Sequence, residues 1–198
     1  ELVDIKNFMQ YYAMQIFISN KDWPGNNYKA FRYYPEDGEE ITSEYMDGKW
    51  RYLLFDAEYA WGLYGEGFRL NTLSDLLDGT HMSGESRALI ALLQREDMRE
   101  LLADTLCDVM SEAFSTENIL ETLDELIEKS DNEQMYALRK GITSTWANEW
   151  TFADSRDQIR KFAERRETVL RRFIAKDLDI AEDTYDVSVT GAVGAEAH

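Results

Sequence analysis

A chain of 198 residues suits one domain or slightly more, and 44% hydrophobic and 13% aromatic residues with only two prolines suffice to bury a core. Acidic residues outnumber basic ones 39 to 21, a formal charge of −18, which argues against nucleic-acid binding through a basic face and against an anionic membrane surface. Cys107 is the only cysteine and His81 and His198 the only histidines, which excludes an intrachain disulfide, a Cys-based zinc site and a His-rich metal centre. No apolar run reaches the roughly 18 residues of a membrane span. The chain opens at Glu1 already in helical pattern, so it is expected to be a piece or processed form of a longer protein.

Ile5, Phe8, Met9, Tyr12, Ala13 and Ile16 recur at intervals of three and four, which predicts a core helix over 2–18. That helix delivers the chain to Asn20 and Asp22. Pro24-Gly25 breaks the pattern, and Asn26-Asn27 continue a turn composition. Residues 28–34 are aromatic-rich and read as a strand, and residues 49–55 read as the returning one. Between them, 35–48 carries Asp37-Gly38 and Asp47-Gly48 and reads as a loop or hairpin tip. Antiparallel pairing would set the Asn27 end of the first strand beside the Asp56 end of the second.

Residues 60–67 are rich in glycine and aromatics and read as a mobile loop. Gly62, Gly65 and Gly67 occur there without the strand-to-helix context that a phosphate cradle needs. From Ser86 onward the pattern is helical: 88–93, 98–114 and 119–127. Ser115-Thr116 starts a helix with Glu117 in its first turn, and Asp131 with Gln134 resembles a capping box. Ser155 with Gln158 opens the last long helix, in which Ile159, Phe162, Val169, Leu170 and Phe173 line a buried face. Arg165, Arg166, Arg171 and Arg172 are expected on solvent faces or beside carboxylates. Trp146 and Trp150 read as core anchors, and 184–198 as a tail or the first strand of a following domain.

Three residues carry candidate chemistry. Asp22 and Asn27 flank a Pro-Gly turn, and Asp56 closes a strand. An Asp-x4-Asn loop followed by a strand-end Asp matches the layout of a kinase catalytic loop and its metal-binding Asp. An acidic chain handling a polyphosphate needs a cation to offset repulsion, and magnesium is satisfied by one or two carboxylates plus an amide oxygen. In that reading Asp22 orients or deprotonates the attacking hydroxyl, while Asn27 and Asp56 hold the metal. The same six residues also make an ordinary turn, and the spacing alone is weak.

The segments 22–29 (Asp-Trp-Pro-Gly-Asn-Asn-Tyr-Lys) and 49–56 (Lys-Trp-Arg-Tyr-Leu-Leu-Phe-Asp), with the helical run through Leu123-Asp124-Glu125-Leu126, Trp146 and 162–172, resemble the CotH (spore coat protein H) family of atypical protein kinases. The resemblance covers roughly residues 1–178. It implies an α+β, mainly α fold: a protein-kinase-like large lobe, helical with a β-hairpin carrying the active-site loops, followed by a tail over 179–198. It implies ATP with magnesium or manganese as cofactors, transfer of the γ-phosphate to Ser or Thr of spore-coat or cell-surface proteins, and a spore-coat or extracellular location in a bacterium. By motif, Asp22 matches the catalytic Asp, Asn27 the metal-binding Asn and Asp56 the metal-binding Asp, with Asn27 and Asp56 on the ATP side. The family often has Asp two places after the metal Asp, where this chain has Glu58. The small lobe, with its glycine-rich loop, Lys and Glu, would lie upstream, so the fragment alone is expected to be inactive. The rival readings are a non-catalytic structural or assembly module of a coat or cell-surface protein, and an extracellular domain binding calcium or polysaccharide.

Overall fold

The structure, a computed structural model, describes residues 2–63, 67–78, 86–130 and 152–180. The Asp131–Gln134 box, Trp146, Trp150 and the 184–198 tail lie outside them.

Helix α1, Ile5–Ile18, is the central element. Asp4 caps its start by accepting from the Asn7 amide at 3.1 Å, so the helix begins a little later than its apolar pattern. Sequence periodicity picked out one face, but Tyr11, Phe17 and Ile18 are buried as well. A helix apolar on nearly all sides belongs inside a core. It packs chiefly on α4 (Glu96–Ser111), with Leu102, Leu106 and Met110 in the interface core. Ser19 ends the helix in the left-handed region, φ 53°, and its N–H bonds back to the helix carbonyls.

The two strands pair antiparallel as expected but are short. β1 is Lys29–Phe31, β2 is Arg51–Leu53, and Lys29 faces Leu53. The Arg32 side chain donates from Nε to the Gly48 carbonyl just past the last paired residue, and Tyr33 and Tyr34 turn outward to solvent. A 3₁₀ turn, Glu44–Met46, lies within the connecting segment. The outer edge of β2 is completed by a side chain: Asn7 of α1 accepts from the Tyr52 N–H at 2.6 Å and donates to its carbonyl at 3.3 Å. A parallel bridge between Val3 and Trp50 extends that edge.

The other helices among the described residues are α2 (Thr72–Leu77), α3 (Ser86–Leu92), α5 (Thr116–Ser130) and α6 (Phe152–Asp177), with a 3₁₀ turn at Gly67–Arg69. α5 starts where Ser115-Thr116 predicted, and the Ser115 hydroxyl accepts from the Asn118 N–H. α6 begins at Phe152, ahead of Ser155, because Phe-Ala-Asp contains no breaker and Asp154 suits the first turn. α6 packs on α5, α2 and the Gly67–Arg69 turn.

Of the Gly62, Gly65 and Gly67 group, Gly65 lies outside the described residues; the other two make a close backbone crossing. A Cβ at Gly67 would sit 2.6 Å from Gly62 Cα, and Gly62 itself has φ 83°. Any side chain at 67 would collide with that backbone.

Arg166 departs most from expectation. Expected on a solvent face or beside a carboxylate, it has an exposure of 0%, and its guanidinium donates to the carbonyls of Ile16 (2.5 Å), Phe17 (2.7 Å), Phe68 (2.9 Å) and Leu70 (2.8 Å). Two of those acceptors are terminal carbonyls of α1, where the Ile16 carbonyl otherwise receives only the long Ser19 N–H bond at 3.3 Å and where the dipole favours a cation. Burial pushes the guanidinium down to about 9, so it remains protonated at neutral pH. Arg165 and Arg172 are exposed, and Arg171 pairs with Glu167 at 2.8 Å, as expected.

Candidate active site

The loop leaving α1 is anchored at both ends before it reaches Asp22. Asn20 is buried, donates to the Gln15 side chain at 3.1 Å and accepts from the Asp22 N–H at 3.2 Å. Trp23 is buried against Tyr11 and Tyr12, and its indole N–H donates to the Tyr11 hydroxyl at 2.7 Å. The Trp23–Pro24 peptide bond is cis. Asp22 is thereby held half-buried between a buried amide and a buried ring.

Its carboxylate is then gripped by the far side of the same turn. Asn26 Nδ2 donates to Oδ1 at 2.9 Å, and Asn27 Nδ2 donates to Oδ2 at 3.1 Å. Asn27 sits at φ 58°, a conformation that Asn adopts more readily than most residues. Its amide nitrogen makes a further bond, to the Asp56 carbonyl at 3.1 Å. Both donor hydrogens of that amide are committed, which leaves Oδ1 as its acceptor.

Asp56 follows β2, also in the left-handed region at φ 53°, with the residue exposed. The segment after it is zipped onto the end of α1: the Lys21 N–H donates to the Tyr59 carbonyl at 3.1 Å and the Trp61 N–H to the Ile18 carbonyl at 2.9 Å. Glu58 shares a side-chain hydrogen bond with Asp56, and that bond holds its carboxyl above the ordinary carboxylate range, reinforced by the charges of Asp56 and Asp22. The antiparallel hairpin therefore brings Asp22, Asn27, Asp56 and Glu58 together.

Sequence reasoning did not assign Asn20, Asn26 or Arg166. The amides were legible as turn composition only. Arg166 had a signal, since it lies one helical step of four from both Phe162 and Leu170, in the middle of the apolar stripe.

Among the described residues no three His, Cys, Asp or Glu side chains form a metal cluster. The donors present, a carboxylate and an amide oxygen, are hard oxygen ligands, and magnesium takes that kind of incomplete set because it keeps several waters. They do not suit a soft metal.

The model of the CotH kinase protein family matches residues 1–170. The chain belongs to the CotH kinase family. No curated protein and no solved structure matches it. CotH membership implies a kinase-like function, and ATP and a divalent metal for kinases in general. No helix among the described residues is long and apolar enough to cross a membrane.

Proposed function

We propose that this chain carries the metal-binding and acceptor side of a Mg-ATP-dependent protein kinase, transferring the γ-phosphate of ATP to a Ser or Thr hydroxyl. The observation that supports this best is the Asn27 amide, which bridges the Asp22 carboxylate and the Asp56 backbone. A single side chain sets the distance between the residue that meets the hydroxyl and the residue that meets the metal.

The residue roles follow from that arrangement. Asp22, oriented by two amide donors and the buried Trp23, accepts the proton of the substrate hydroxyl as its oxygen forms the new P–O bond and the bond to ADP breaks. Asn27 Oδ1 and the Asp56 carboxylate would hold magnesium or manganese, with Glu58 at hand beside Asp56. The metal, when bound, offsets phosphate charge that an otherwise acidic chain repels. Leu53, Leu54 and Phe55 are exposed immediately before Asp56, which supports a further lobe seating over the hairpin and closing the adenine side. We propose residues 1–178 as the large lobe and coat or cell-surface proteins of a bacterium as substrates, with a spore-coat or surface location to match.

The test is phosphate transfer from labelled ATP by the full-length parent protein, beside its Asp56→Ala and Asp22→Asn forms, with magnesium and with EDTA. Labelling of the protein or a co-expressed partner by wild type alone, and only with metal, is the expected result. Absence of labelling, together with no ATP-induced rise in melting temperature of a folded protein, would reject catalysis. A structural module would then be the better account.

A further inference from the structure

The two oxygens of the Asp22 carboxylate have different neighbours. Oδ2 accepts from Asn27 Nδ2 at 3.1 Å, and the same nitrogen bonds the Asp56 carbonyl, so Oδ2 lies on the side of the residues assigned to the metal. Oδ1 accepts from Asn26 Nδ2 at 2.9 Å and has no other donor among the described residues. Asn26 belongs to the turn alone and makes no bond to the strand end at Asp56. The acceptor side of Asp22 is therefore Oδ1.

Asn26 is held firmly yet faces solvent. Its main-chain N–H donates to the Asp22 carbonyl at 2.9 Å, so its backbone and side chain both close on one residue. The residue is exposed, whereas Asn27 is half-buried. A side-chain amide carries two hydrogens and an oxygen with two lone pairs. In Asn26 one hydrogen goes to Asp22, and the second hydrogen and the oxygen make no bond among the described residues. The turn beside it is open as well: a Cβ at Gly25 would meet nothing within 4 Å. A hydroxyl bonded to Oδ1 stands about 2.7 Å from it. That hydroxyl and Asn26 Nδ2 then share one acceptor oxygen, which puts the main chain carrying the hydroxyl within reach of the uncommitted half of the amide. An amide presents a donor and an acceptor side by side, the complement of a peptide C=O and N–H.

We propose that Oδ1 is the Asp22 oxygen that meets the acceptor hydroxyl, and that Asn26 binds the main chain of the Ser or Thr bearing it. The proposal rests on the kinase reading above and names the substrate feature that the same site selects. That feature is a peptide backbone next to the hydroxyl, whatever the flanking side chains. Water and simple alcohols lack it, so Asn26 directs transfer to protein.

The test uses the full-length parent protein, Mg-ATP and the serine peptide that it labels best from a degenerate library. Further forms of that peptide carry an ester in place of one amide flanking the serine, which removes an N–H donor and weakens a carbonyl. Wild type and Asn26→Ala are compared by kcat/KM on each peptide. One ester is expected to cost wild type about tenfold, and Asn26→Ala to cost the all-amide peptide about tenfold or more, with KM for ATP unchanged. The same ester should then cost Asn26→Ala no more than about twofold, because the bond it removes is already gone. A residue that only orients Asp22 would not give that coupling. Ester and alanine losses that multiply overturn the proposal, as does a wild type indifferent to both esters, and either result leaves the kinase reading intact. Labelling of the parent's own residues but of no peptide overturns it too, since recognition through backbone admits peptides. No labelling of any kind, with no ATP-induced rise in melting temperature, removes the kinase reading and the proposal with it.

Discussion

The Asn27 side-chain amide donates to the Asp22 carboxylate and to the Asp56 backbone carbonyl, each at 3.1 Å. Two loops separated by the whole hairpin are thereby tied through one residue. Asn27→Gly preserves the left-handed backbone, φ 58°, and deletes the tie. It is expected to cost about 1–2 kcal/mol of stability and at least about a hundredfold in phosphate transfer. Chemical denaturation and single-turnover kinetics of the parent protein measure the two effects separately. A large loss of stability with transfer intact would mean that the tie is structural only.

Glu58 and Asp56 share a hydrogen bond that raises the Glu58 carboxyl, with Asp22 adding negative charge. An acid raised in the folded state contributes stability below its unfolded pKa of about 4.3, and loses it as pH climbs through the folded value. At neutral pH without metal the carboxylates therefore repel one another. Glu58→Gln is expected to raise the melting temperature in EDTA and to shrink the rise produced by magnesium. Thermal scans of both forms with and without the metal decide it, and an unchanged melting temperature in EDTA would contradict the repulsion.

Asp47 shows the opposite sign. Its hydrogen bonds with Arg51, at 2.9 and 3.1 Å, pull its carboxyl well below the usual range. Stability from a depressed acid is present above the unfolded value near 3.9 and disappears as pH falls through the folded one. Arg51 is 2% exposed and also bonds Asp4 and the Glu44 carbonyl, so this group fastens the hairpin to the start of α1. Asp47→Asn should flatten the loss of stability below about pH 4, as read from acid unfolding followed by circular dichroism.

Arg166 is expected to be the most sensitive single position. Arg166→Met takes the guanidinium donor from the carbonyls of Phe17, Phe68 and Leu70 and leaves Ile16 only the Ser19 N–H. The expected cost is on the order of 3 kcal/mol or more in urea unfolding. Arg166→Lys should recover part of it, because an ammonium supplies three donors without the planar fork. A surface-like cost of about 0.5 kcal/mol or less for Arg166→Met would show that the carbonyls find water instead.

Much of this arrangement could be read from residue order. Alternation of Ile5, Phe8, Met9, Tyr12 and Ile16 announced α1, and the aromatic runs on either side of Asp37-Gly38 announced a hairpin whose ends meet. Asp22, Asn27 and Asp56 come together because antiparallel pairing demands it. Strand length was not legible, since the Arg32 side chain bonds a carbonyl beyond the pairing and Asn7 supplies the outer edge of β2. Periodicity is blind to such substitutions of side chain for backbone. Arg166 was misjudged for a related reason: composition assigns arginine to water, while four carbonyls left over by α1 and the segment at 68–70 create a buried place for it.

The hairpin tip has a consequence of its own. Residues 36–41 are all exposed, while Asn7 secures Tyr52 and the contacts of residues 18–21 with 59–61 secure the loop after Asp56. No strut of the site runs through the tip. New chain ends opened between residues 36 and 41, or a guest segment inserted there, would leave Asp22 and Asp56 tied through Asn27, so this chain offers a place to be split into two reassociating pieces without dismantling the candidate site.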